Sequence, residues 1–140
     1  MRPDTLHATL AFLGDVDEHR LEELKLIAQG INFQHFELIW SVARLWQHNH
    51  IVYAAPADIP LQLEQLEEDL VSQLRNHGFH LDDRNYQPHV TLLRNASWND
   101  TPLPSKPEVC WLIDQFVLVQ SLRDEQGALY ERLARFPASS

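Results

Sequence analysis

Two copies of one short pattern, His-x-Thr-Leu, constrain this chain more than any other feature. They are His7–Leu10 and His89–Leu92, 82 positions apart. Each sits in an apolar run, "TLHATLAFL" over 5–13 and "HVTLLR" over 89–94. Both runs read as strands, and side chains alternate faces along a strand. His7, Thr9 and Ala11 then share one face, with Ala8, Leu10 and Phe12 on the other. Likewise His89 and Thr91 oppose Val90 and Leu92. One face of each strand suits a core. The other carries an imidazole and a hydroxyl about 7 Å apart. Buried against apolar side chains, those groups would cost free energy unless paired. A cleft lined by both strands removes that conflict. With 8 His, 4 Thr and 22 Leu in 140 residues, chance supplies about 0.04 such matches, and two on the order of once in a thousand chains. The pair is therefore read as one site.

The rest of the chain supports an α+β domain. Residues 15–17 offer helix-start chemistry, with Asp15 or Asp17 as N-cap, and a helix is expected over 17–29 with Gly30 as its stop. Residues 33–46 and 51–57 read as two strands of a hairpin around 47–50. A second helix over 60–77 buries Leu63, Leu66, Leu70, Val71 and Leu74, and Gly78 ends it. Residues 82–88 read as a polar loop, and 95–107, with three prolines, as a long loop. Strands over 109–122 and 128–136 form a closing hairpin around "RDEQG". The order β-α-β-β-α-β-β-β implies a largely antiparallel sheet structure. The two motifs suggest a two-lobed pseudo-repeat, one motif strand from each lobe.

Charge narrows the partners. Twenty acidic residues against eleven basic ones leave a net charge of −9. A protein that wraps duplex nucleic acid is normally basic, so no duplex partner is expected. One anionic group in one pocket needs only a few local arginines. The lone Cys110 sits in an apolar stretch, excluding a disulfide within the chain and disfavouring a cysteine-based zinc site. No apolar run approaches the roughly 20 residues of a membrane span. The start "MRPDTLH" lacks a signal-peptide pattern. The expected setting is cytoplasmic, without a membrane partner.

Two imidazoles facing one cleft suit cleavage of a P–O bond. One takes a proton from the incoming nucleophile, and the other gives a proton to the leaving oxygen. Histidine titrates near neutral pH, so one can be neutral while the other is protonated. The two threonine hydroxyls can donate to the non-bridging phosphate oxygens. This scheme requires no metal and no cofactor. From the residues alone the two histidines are interchangeable.

"HATLAFLG", "QPHVTL" and "HVTLLR" resemble the 2H phosphoesterase superfamily, and within it the bacterial RNA 2′,3′-cyclic phosphodiesterase branch. The resemblance runs from residue 5 to about 136. It implies a bilobal α+β fold, largely antiparallel, with the active cleft between pseudo-symmetric lobes. It implies hydrolysis of an RNA terminal 2′,3′-cyclic phosphate to a 2′-phosphomonoester without metal. His7 corresponds to the proton donor and His89 to the acceptor, with Thr9 and Thr91 on phosphate. Arg94 matches a further phosphate or nucleotide contact, although strict alternation puts it on the face opposite His89. Relatives are expected to carry about 35 residues, a strand and a helix, before the first motif. Residues 1–140 are thus expected to form one two-lobed domain lacking those elements, a monomer unless an open edge exchanges strands. The expected partner is an RNA 3′ end or a small cyclic nucleotide. The alternatives are an impaired nucleotide- or RNA-end-binding module, or 2′,5′-RNA ligase-type activity.

Other residues have plainer readings. Tyr86, three before His89, suits base stacking. Arg44 and Arg84 are candidates for added positive charge. "HNH" (48–50) reads as a turn, since no carboxylate or cysteine cluster accompanies it. His19, His35, His77 and His80 read as surface residues, 64–69 as the wet face of the second helix, and the four tryptophans as packing residues.

Overall fold

The computed structural model describes residues 8–46, 51–81, 86, 88, 90–93, 109–125 and 127–139. In chain order they form a short 3-10 turn (Glu18–Arg20), α1 (Leu21–Gln29), β1 (Phe36–Trp40), β2 (Val42–Trp46), β3 (Ile51–Ala55), α2 (Leu61–Asn76), β4 (Val90–Leu93), β5 (Val109–Ile113), β6 (Gln115–Asp124) and β7 (Gly127–Pro137). β1 pairs with β5, β2–β3–β4 form an antiparallel sheet, and β6–β7 form a long antiparallel hairpin. Contacts divide the chain into two compact units. The first comprises Met1–Leu10, Glu37–Ile59 and Asn85–Trp111; the second comprises Ala11–Phe36, Pro60–Arg84 and Leu112–Ser140.

In the second unit, α2 presents Leu63, Leu66, Leu70 and Leu74 at helical spacing, and all four are buried. Each such side chain contributes about 1.5–3 kcal/mol on leaving water. Val71, expected in the same stripe, is only half-buried. Pro60 takes the N-cap position with φ −60°, already suited to the helix start. The other end is closed by backbone. The Gly78 N–H donates to the Arg75 carbonyl (3.0 Å) and the Phe79 N–H to the Leu74 carbonyl (3.0 Å). Gly78 has φ +85°, the left-handed conformation this cap needs. Phe79 and Leu74 are both buried beside it.

Arg20 ties α1 to this cap. Its guanidinium donates to both Glu23 carboxylate oxygens (3.1 and 3.3 Å) and to the His77 carbonyl (2.6 Å), and lies 3.9 Å from the Phe79 ring centroid. A cation there meets the partial negative charge of the α2 C-terminus. That guanidinium holds the Glu23 carboxyl below the usual carboxylate range. On α1, Leu24 and Ala28 are buried, and Gly30 is the C-cap. β6–β7 joins this core through Phe116, whose ring centroid lies 5.7 Å from Phe33 and 5.0 Å from Phe136.

In the first unit, β1 alternates as its sequence requires. Leu38 and Trp40 are buried, whereas Glu37 and Ile39 are exposed. Trp40, 1 % exposed, meets Trp111 edge-on with centroids 5.2 Å apart. The aromatic run 33–46 is not one strand. It breaks at Ser41, whose N–H donates to the Ala55 carbonyl (3.2 Å) and whose Oγ accepts from the Ala57 N–H (3.2 Å). The run 109–122 breaks likewise at Asp114, whose carbonyl accepts from the Ala138 N–H (2.7 Å). At both breaks the chain leaves one sheet for another, a change that hydrophobic pattern cannot register. The strand expected over 5–13 is also corrected. Among its described residues only Ala8 makes a ladder bridge, and Phe12, expected on the core face, is 75 % exposed. Alternation specifies which face a strand would bury, but a strand also needs a hydrogen-bonding neighbour.

Gly78→Ala is predicted to destabilise the fold by about 1–2 kcal/mol. The cost is in the backbone, because an added Cβ would meet nothing closer than Arg20 Nη2 at 4.0 Å. Denaturant unfolding measures it. A second prediction concerns the Glu67 carboxyl, raised above the usual range first by burial and then by the neighbouring Glu68 carboxylate. A carboxyl whose folded pKa is raised favours the fold while protonated, and that contribution disappears as pH rises through the raised value. Glu67→Gln should therefore be more stable than the parent at neutral pH, with the gap closing in acid. Thermal melts across pH 3–8 would read this.

Candidate active site

Of the six residues singled out for chemistry, Thr9, Tyr86 and Thr91 are described. His7, His89 and Arg94 lie outside the described residues. Thr9 follows the bridge at Ala8 and is exposed. Tyr86 is half-buried and Pro88, the residue preceding the second motif, is buried. Thr91 stands within β4. The contact partition groups Thr9, Tyr86 and Thr91 in the same unit.

The ladder around Thr91 carries the most information. Thr91 pairs with Tyr53 on β3, and Tyr53 pairs with Arg44 on β2. Directly paired positions share a face, and neighbouring strands lie about 4.8 Å apart. Arg44, Tyr53 and Thr91 thus occupy one row across the sheet. Arg44 was a weak candidate by sequence. Tyr53 was missed, because nothing local in "IVYAAPA" indicates which residue will lie opposite. The same ladder shifts register one step on. Val52 pairs with Leu93, while Tyr53 pairs with Thr91, so Leu92 is an extra residue. Such a bulge reverses the alternation beyond it. Thr91 and Leu93, two apart in sequence, consequently stand opposite successive β3 residues.

The remaining candidates resolve plainly. Among the described residues no group of three or more His, Cys, Asp or Glu is placed to hold a metal ion. "HNH" (48–50) and Arg84 lie outside the described residues. His19, His35, His77 and His80 are exposed. Cys110 is exposed rather than packed in an apolar core. An open groove between α1 and α2, lined by Leu26, Ile31, Asn32, Asp69, Gln73 and His77, holds none of the motif residues. Among the described residues no helix is long and apolar enough to cross a membrane.

With two His-x-Thr-Leu segments, antiparallel sheets and two helices in view, the class is an α+β phosphoesterase of the two-histidine kind. Residues 2–125 match the family model of the 2′-5′ RNA ligase superfamily, and the chain belongs to that family. It is 35 % identical over 133 residues to the RNA 2′,3′-cyclic phosphodiesterase of Escherichia coli (strain K12), covering 95 % of this chain and 76 % of that protein. Its fold matches the crystal structure of E. coli LigT in apo form with TM-score 0.91 at 31 % identity, over all of this chain and 80 % of that one. LigT complexed with 3′-AMP matches at 0.88 and 32 %, over 98 % of this chain and 79 % of that one. TT0787 of Thermus thermophilus shares the fold at 0.76 with 22 % identity, over 98 % of this chain and 80 % of that one.

Proposed function

We propose that this chain hydrolyses the terminal 2′,3′-cyclic phosphate of RNA, or of a small cyclic nucleotide, to a 2′-phosphomonoester. His7 and His89 supply metal-independent acid–base catalysis. The observation that carries this reading is the doubled His-x-Thr-Leu motif, in a chain 35 % identical to an enzyme named for that reaction. A relative complexed with 3′-AMP supports a nucleotide in the site. Residues 1–140 act as a two-lobed domain, in the cytoplasm, as a monomer.

Water attacks phosphorus and the P–O3′ bond breaks. His89, neutral, takes the proton of the attacking water. His7, protonated, delivers its proton to O3′. One water is consumed, and the two imidazoles regain their starting states by proton exchange with solvent. Thr9 and Thr91 donate to the non-bridging oxygens, where charge builds in the transition state. Arg94 belongs to the same group. Strict alternation argued against it, but the extra residue at Leu92 reverses the phase, so a strand continued past Leu93 returns to the Thr91 face. Arg44, in the row of Thr91, adds positive charge, and Tyr86 stacks on the base.

The test is a short RNA ending in a 2′,3′-cyclic phosphate, incubated in EDTA with the parent, His7→Ala and His89→Ala. The parent should form the 2′-phosphomonoester, and each variant should lose about 10²–10⁴-fold in kcat. Thr9→Val and Thr91→Val should each lose about 10²-fold, removing a donor while keeping side-chain shape. A folded parent that binds 3′-nucleotide without product would overturn the reading in favour of a binding module. Product containing a new 2′,5′ linkage in place of the phosphomonoester would point to ligase-type activity.

A further inference from the structure

The β6–β7 hairpin carries a second register shift, and its consequence is electrostatic. Val117 pairs with Arg135, Leu118 with Ala134 and Val119 with Arg132, leaving Leu133 as the extra residue. Without it, Arg132 and Arg135, three apart, would stand on opposite faces. With it, both oppose Val117 and Val119, which share one face. Burial follows this assignment around the bulge, although Val117 is half-buried and Gln120 and Glu131, on the other face, are exposed. Arg132, Arg135 and Val119 are exposed, whereas Leu133 and Ala134 are half-buried and Phe136 is buried. The Phe33–Phe116–Phe136 stack lies on the other face.

This face is unusual for so acidic a chain. Arg20 and Lys25 pair with carboxylates, and Arg75 also has a partner. Among the described residues, Arg132 and Arg135 make no ion pair or hydrogen bond. Cross-strand neighbours of opposite charge would ordinarily stabilise a solvent-facing hairpin. Here each arginine faces a valine. The hairpin's acidic residue Glu131 pairs with Gln120, on the opposite face. Two exposed, unneutralised arginines stand opposite β6 positions about 7 Å apart, twice the rise per residue. Guanidinium is the side-chain group best matched to phosphate oxygens. Neighbouring phosphates along an extended single strand are spaced on this scale, so the two arginines suit adjacent phosphates.

We propose that Arg132 and Arg135, brought to one face of β6–β7 by the extra residue at Leu133, bind the phosphodiester backbone of single-stranded RNA. The proposal rests on the RNA-end reading above and adds a site for the body of the RNA. Backbone contacts of this kind position a strand without reading its sequence, and a single strand can follow an exposed ribbon.

Two measurements separate this inference from the parent reading. The first is fluorescence anisotropy of a labelled single-stranded RNA with a 3′-hydroxyl, which needs no catalysis, titrated at several salt concentrations. Arg132→Gln/Arg135→Gln should weaken binding about tenfold, and its salt slope should fall by about 1.4, near 0.7 per lost phosphate contact. Arg132→Glu/Arg135→Glu should weaken it further. The second is turnover of the mononucleotide 2′,3′-cyclic phosphate against an oligonucleotide bearing the same end. The glutamine variant should raise KM for the oligonucleotide alone and leave the mononucleotide unchanged. Unaltered affinity and slope would overturn the proposal, as would equal loss on both substrates or stronger binding of duplex than of single strand. A parent that turns over neither substrate but binds RNA through these arginines would refute the catalytic reading and leave this face standing. Melting temperatures of all variants verify folding.

Discussion

The pleat of a β-strand allows a side chain only two directions, and nearly everything in this molecule depends on how the chain keeps or breaks that alternation. β1 keeps it, burying Leu38 and Trp40 while Glu37 and Ile39 meet water. β4 and β7 break it, each by one extra residue, at Leu92 and at Leu133. Each bulge falls beside chemistry. At Leu92 it sets Thr91 and Leu93 opposite successive residues of β3. At Leu133 it gathers two arginines on one face. A bulge leaves a residue unpaired in the ladder and increases local twist.

The frame that carries β7 is made differently. Four leucines of α2, the left-handed cap at Gly78 and the Arg20 guanidinium at the α2 C-terminus hold the helices together. Phe116 joins the β6–β7 hairpin to this core through Phe33 and Phe136. The aromatic stack covers Phe136 on one face of the hairpin, and Val119, Arg132 and Arg135 on the other are exposed.

The helices were legible because their signals are local. Leucine spacing, Pro60 and Gly78 mark α2 to within a residue or two. The hairpins were legible for the same reason, since turn residues lie between apolar runs. The motif pair was legible because composition makes its recurrence improbable. What was illegible depends on distant partners. The breaks at Ser41 and Asp114 are set by hydrogen bonds to Ala55 and Ala57 and to Ala138. The exposure of Phe12 reflects what surrounds it in three dimensions. Tyr53 enters the Thr91 row only through ladder register, and neither bulge has a glycine or other local mark to announce it.

The central claim is that two histidines far apart in sequence act as one catalytic pair. The most direct measurement is hydrolysis of an RNA 2′,3′-cyclic phosphate in EDTA by His7→Ala, His89→Ala and the double variant, each verified as folded. Groups that work as a unit are non-additive, since losing either disables the shared step. The account predicts that the double variant is only a few-fold slower than the slower single one. Losses that multiply, or either single variant working at the parent's rate, would contradict it.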